Sequence, residues 1–272
     1  MPVRPLLALL ALVAAPLLAA PGKEVVREER RVTIGGVQEV WRLVWRGAPR
    51  DDAMCGPQDP EMAITCPCSG VAYAQTGDLV LERQRPGAAP ERMALAPLFA
   101  GSEMLSDAGG KAAVLPRWPM GDDDVSKEVT PKAIRARPAV PILKLADYDH
   151  DGVAGEFLLQ VDALPCGKQL MVAVGTSRAR PGLHALTSAE HPERPLALYR
   201  WQWEALARNP RPAELADWPC GDHGAEEETT LQIRADHGAI HAARVTGTCP
   251  DDTEPKAKGG RFVKKILKRE IL

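Results

Sequence analysis

Prolines set the first limit on how this chain can fold, because 25 of them are spread along its 272 residues. A proline inside a helix removes a backbone hydrogen bond and clashes with the preceding turn, which excludes long uninterrupted helices. Short strands joined by turns fit between the prolines, and one of them is legible at once. In Val40-Trp41-Arg42-Leu43-Val44-Trp45, Trp41, Leu43 and Trp45 share one face, while Val40 and Val44 lie on the other around Arg42. This is the period of a strand with little polar relief, so both faces are expected to be covered. Core packing is the expected role of the tryptophans, in preference to an exposed platform for sugar rings. With 45% hydrophobic and 26% charged residues the chain belongs with folded soluble proteins, not disordered ones. The net charge of −2 supplies no basic field for nucleic acid.

The remaining elements follow from alternation and punctuation. Residues 25–46 read as strands joined at Gly35-Gly36, 71–75 and 79–85 as a hairpin, and 91–95 as a further strand. Residues 140–146, 156–161 and 169–174 read as strands, and 200–208 as a short helix ended by Asn209-Pro210. Two alternating strands, 227–235 and 239–246, flank the turn Asp236-His237-Gly238. Segments 48–70 and 99–130 are irregular, and 131–141 carries three prolines and reads as an extended connector. The fold class expected is mainly β, a β-rich α+β arrangement of antiparallel hairpins and sandwich-like sheets with one or two short helices. A single domain over 21–255 is expected, with 131–141 as the boundary if it is built of two lobes.

The first 20 residues have the plan of an export signal. One arginine, Arg4, precedes an apolar run from Leu6 to Leu18, and small residues Ala19-Ala20 close it. The run is shorter than the ~20 residues a membrane-spanning helix needs. A secreted or periplasmic protein is the expectation, and it governs how the cysteines read. Cys55, Cys66, Cys68, Cys166, Cys220 and Cys249 are even in number and lie beyond the signal. Disulfides are therefore expected, with Cys220–Cys249 the first pairing because these two bracket the hairpin at 227–246. Cys66-Pro67-Cys68 lacks the spacing of a zinc knuckle.

The most specific motif is Asp147-Tyr148-Asp149-His150-Asp151-Gly152, set between strands. Carboxylates at alternate positions, closed by a glycine that lets the chain turn, are what an oxygen-ligand cage for Ca²⁺ requires. The pattern resembles the calcium loops of EF-hands, of dockerins and of FG-GAP repeats. That resemblance covers about ten residues. It implies Asp147, Asp149 and Asp151 as carboxylate ligands and Val153 through its carbonyl, with Glu156 a further acid. The bidentate Glu that closes an EF-hand is replaced by Leu158. The ninth-position Asp usual in FG-GAP loops is replaced by Gly155, which predicts a weakened site. Flanking strands favour the FG-GAP style, and the ion's expected role is structural.

No Gly-x-Ser-x-Gly elbow, His-Glu-x-x-His helix or phosphate-cradling loop is present. His150, His184, His223 and His241 are read as turn or surface residues. The expected function is an exported, calcium-stabilised, non-catalytic binding or structural module of the cell envelope or extracellular space. The alternative is a secreted hydrolase with its site near Asp147–Gly152. The tail at 256–272 is basic. At helical spacing Phe262, Val263, Ile266 and Leu267 make an apolar stripe opposite Lys264, Lys265, Lys268 and Arg269. The outcomes weighed for it are peripheral membrane contact through 261–272, a terminal helix or strand docked on the domain, or else a frayed end.

Overall fold

The computed structural model describes residues 23–52, 74–102, 111–119, 129–164, 168–249 and 264–272. The first 22 residues, the acidic run Asp122–Asp124 and Cys55, Cys66, Cys68 and Cys166 lie outside these residues.

The strands are β1 (Glu24–Ile34), β2 (Val37–Arg46), β3 (Arg50–Asp52), β4 (Ala74–Gly77), β5 (Leu79–Gln84), β6 (Glu91–Ala94) and β7 (Ala113–Pro116). After helix α1 (Pro131–Arg135) come β8 (Glu156–Leu164), β9 (Lys168–Gly175), β10 (His184–Ala185) and β11 (Ala197–Tyr199). Helix α2 (Arg200–Arg208) leads to β12 (Ala213–Trp218), β13 (Glu227–Asp236), β14 (Ala239–Thr248) and β15 (Ile266–Ile271). They form four antiparallel sheets, ordered β1-β2-β5-β6, β3-β4-β7, β10-β9-β11 with β8 on the other edge of β9, and β12-β13-β14-β15. The mainly-β expectation therefore holds, with two α-helices among the described residues.

The sheet of β8 to β11 is the middle layer. Phe157, Leu159 and Val161 of β8, with Val172 and Val174 of β9, pack into one core together with Trp41, Leu43, Trp45 and Leu81 of the first sheet. From the opposite face, Met171 and Ala173 join Trp203 and Leu206 of α2 and Leu231, Ile233 and Ile240 of β13 and β14. A sheet buried on both faces needs nearly continuous apolar strands, which β9 supplies in Leu170-Met171-Val172-Ala173-Val174. Trp41 and Trp45 are fully buried, as core tryptophans should be.

Three expectations are corrected. Where it is described, from residue 74, the segment 71–85 is not a hairpin: β4 pairs with β3 and β7, while β5 pairs with β2 and β6. Residues 140–145 are not a strand, because the Glu28 carboxylate takes the N–H groups of Ile142 and Leu143 that a neighbouring strand would need. The connector at 131–141 begins as α1, with Pro131 at the first helical position, where its missing N–H costs nothing, and Thr130 Oγ1 capping Ala133 N. For the basic tail the docked outcome holds, as a strand: 266–271 form β15, paired with β14.

The hairpin β13–β14 turns at His237-Gly238, and Cys220 and Cys249 are joined across its open end with their Cα atoms 5.6 Å apart. The 200–208 helix is found where expected as α2, with Gln202 Oε1 accepting the Tyr199 N–H at its start.

Candidate metal centre

The loop from Asp147 to Gly155 is closed at its base by a bridge. Ala146 N donates to Glu156 O at 2.8 Å, and Glu156 N donates to Ala146 O at 3.1 Å. Between these ends His150 (φ +56°) and Gly152 (φ +89°) take left-handed backbone, which curls the chain around its own acids. Asp147, Asp149 and Asp151 thereby each bring a carboxylate oxygen within 4.8 Å of the others. The alternation in sequence has become convergence in space.

The hydrogen bonding of these acids is unusually complete, and its exceptions are informative. Asp151 N donates to Asp147 Oδ1 and Asp149 Oδ1, both at 3.1 Å, and Gly152 N to Asp147 Oδ2 at 3.0 Å. Val153 N donates to Asp151 Oδ1 at 2.7 Å, Arg178 N to Asp151 Oδ2, and Tyr148 N to Glu156 Oε2 at 3.0 Å. Six of the eight carboxylate oxygens of Asp147, Asp149, Asp151 and Glu156 thus accept a backbone N–H. The other two, Asp149 Oδ2 and Glu156 Oε1, are buried without a partner. Asp149 is 1% exposed and Glu156 is fully buried. A buried carboxylate oxygen with nothing to bond is costly, and such atoms call for an unseen partner.

Electrostatics point the same way. Burial pushes the Asp149 carboxyl up to about 6, with Asp151 and Asp147 adding to the rise and the Asp151 amide opposing it. Burial raises Glu156 further, to about 9, against the Tyr148 amide and with all three aspartates adding to it. At neutral pH Glu156 therefore keeps its proton, while Asp149 is largely ionised at a cost that a cation would offset. The site's chemistry is that of a hard-cation cage made only of oxygens.

Other predicted groups are placed differently. The Val153 carbonyl accepts from Gly155 N at 2.8 Å, so within the loop it is already engaged. Glu156 is tied to the loop through Tyr148 but does not belong to the convergent trio. Gly155 has a steric reason to replace an acid, since a Cβ there would sit 2.4 Å from Thr176 O. The His150 ring donates through Nε2 to Leu206 O at 2.7 Å. His184 faces Gly182 O, and His241 pairs with Glu190, so neither gathers at the loop.

Three contacts were invisible in the local sequence. Gly238 N, in the β13–β14 turn, donates to Asp149 O at 3.0 Å. The Arg178 amide after β9 and the Leu206 carbonyl in α2 hold Asp151 and His150. Asp236-His237-Gly238 announces a turn, but nothing in it announces that the turn docks on the acidic loop. No protein-family model, curated protein or solved structure matches the chain.

Proposed function

We propose that this loop binds one Ca²⁺ ion as a structural staple, in an exported, non-catalytic binding or structural module of the cell envelope or extracellular space. The observation that carries the reading is the pair of buried, unpartnered oxygens, Asp149 Oδ2 and Glu156 Oε1, beside three converging carboxylates. Asp147, Asp149 and Asp151 would hold the ion. Oxygens that lie within 4.8 Å of one another can all reach one ion at Ca–O distances of about 2.3–2.6 Å. The ion supplies positive charge to acids that otherwise repel one another or stay protonated.

Structural use is supported by what the loop touches. The β13–β14 turn, α2 and the segment after β9 all bond to it. A cation that orders the loop therefore fixes the middle sheet against its neighbours on one side. Export is supported by the signal-like start of the chain and by the Cys220–Cys249 disulfide, a bond of oxidising compartments.

Calorimetric titration of the purified chain with Ca²⁺ tests the binding. One site is expected, with Kd on the order of 10⁻⁴ M as for extracellular calcium modules, and Asp149→Ala is expected to abolish it. Heat of binding that survives unchanged in Asp149→Ala would place the ion elsewhere.

A further inference from the structure

We infer that the outer face of the β12–β15 sheet carries a ligand site, a groove of about 450 Å³ that takes a small zwitterion with an apolar side chain, of the amino-acid or dipeptide class. It uses none of the metal-loop residues and stands apart from the calcium reading.

The groove follows from strand register. Glu214 lies opposite Gln232, Gln232 opposite Ala243, and Ala243 opposite Ile271, so these four form one row across the sheet. The next row places Arg234 opposite His241. Ala243 is short, and the row over it becomes a trough floored by its methyl group and edged by Ile271, which is 39% exposed. The volume falls in the ~300–1,000 Å³ range of small-molecule sites.

Charge selects the ligand. Among the groups facing the groove, Arg269 Nη1 donates to Gln232 Oε1 at 2.8 Å, and His241 Nδ1 lies 2.6 Å from Glu190 Oε1. Those groups have partners. Arg234 and Glu214 make no hydrogen bond or ion pair among the described residues, and the Arg234 charge reaches only Glu190, whose carboxyl it helps to lower from across the groove. Glu214 is opposite Gln232 and Arg234 is two residues farther along the same strand, so they are diagonal neighbours, ~7–8 Å apart in such a sheet. A guanidinium offers a carboxylate two parallel hydrogen bonds, and a carboxylate accepts an ammonium. A purely anionic ligand would meet the Glu214 carboxylate, and a purely cationic one would meet Arg234 and Arg269. A ligand with both signs close together satisfies Arg234 and Glu214 at once and leaves its side chain to Ala243 and Ile271.

The test is calorimetry with leucine and leucyl-leucine, set against leucinamide, which lacks the carboxylate, and N-acetyl-leucine, which lacks the ammonium. Arg234→Gln and Glu214→Gln remove one charge each from the solvent side of the sheet, and their melting temperatures verify the fold. Expected is saturable binding of at least one zwitterion, about tenfold or more weaker for both blocked analogues and for each variant. No binding of either zwitterion, equal binding of the blocked analogues, or unchanged binding by both folded variants would overturn the inference.

Discussion

Asp149 and Glu156 are acids in a place that suits neutral groups, and this gives the cation-free protein an unusual pH dependence. In the unfolded chain such carboxyls titrate near pH 4. In the fold, burial and neighbouring acids raise them to about 6 and about 9. Between those limits the unfolded chain has released protons that the folded chain still holds, so raising the pH favours unfolding. The cation-free melting temperature is expected to fall from about pH 5 to pH 9, with Glu156 responsible for the upper part. Saturating Ca²⁺ should flatten the Asp149 part of that slope, since that ionised carboxylate is then paired in the fold. Melting curves in chelator and in Ca²⁺ across this range check it, and a cation-free curve that rises with pH contradicts it. Glu156→Gln keeps an acceptor for Tyr148 N but holds no titrating proton, so its cation-free slope should be shallower. The acids themselves were legible from their spacing. Their burial was not, because the segments that bond to the loop, after β9, in α2 and in the β13–β14 turn, lie far along the chain.

At the scale of elements, two strands pass so close that side chains are excluded. A Cβ on Gly175 would sit 2.0 Å from Gly155 O, a backbone atom that cannot swing aside. Gly175→Ala is expected to cost on the order of 2–3 kcal/mol, read by urea unfolding. The first sheet is tied to the segment before β10 by a buried pair: Arg83 donates to both oxygens of Glu39 at 2.7 Å and to Pro181 O. Burial would raise the Glu39 carboxyl, but the hydrogen bonds from Arg83 and Trp41 prevail and hold it below its ordinary range. Arg83→Met leaves that carboxylate buried and uncompensated, at a cost of roughly 3–5 kcal/mol. Equilibrium unfolding of the variant would reveal it, and a change under 1 kcal/mol would show the pair to be dispensable. Sequence reasoning succeeded here where pattern and turn chemistry agreed, as in β1–β2, β13–β14 and α2. It failed at 71–85, where Thr76-Gly77-Asp78 suggests a hairpin turn although β4 and β5 separate into different sheets. At β15 it left helix and strand open, because Ile266, Leu267 and Ile271 satisfy a helical stripe about as well as an edge strand. Pairing with β14 decided that case, and no local pattern records it.

For the whole molecule, the arrangement is a middle sheet buried on both faces, with the acidic loop at one of its strand ends and a disulfide across the outer hairpin. The Cys220–Cys249 bond closes 29 residues of chain, so the Cys220→Ser/Cys249→Ser pair should lose about 3–4 kcal/mol. That loss should appear equally with and without Ca²⁺, since the loop and the disulfide constrain opposite ends of the β13–β14 hairpin. The loop matters to the whole because Asp149, Asp151 and His150 are each bonded to a different neighbouring segment. The most direct test of the calcium reading is therefore thermal unfolding of the wild type and Asp149→Ala, each in chelator and in Ca²⁺. An ion present at about 100 times its Kd adds ~2.7 kcal/mol to the folded state, or roughly 5–10 °C for a domain of this size. The wild type should gain that shift and Asp149→Ala should not. A wild-type melting temperature indifferent to both Ca²⁺ and chelator would contradict the account.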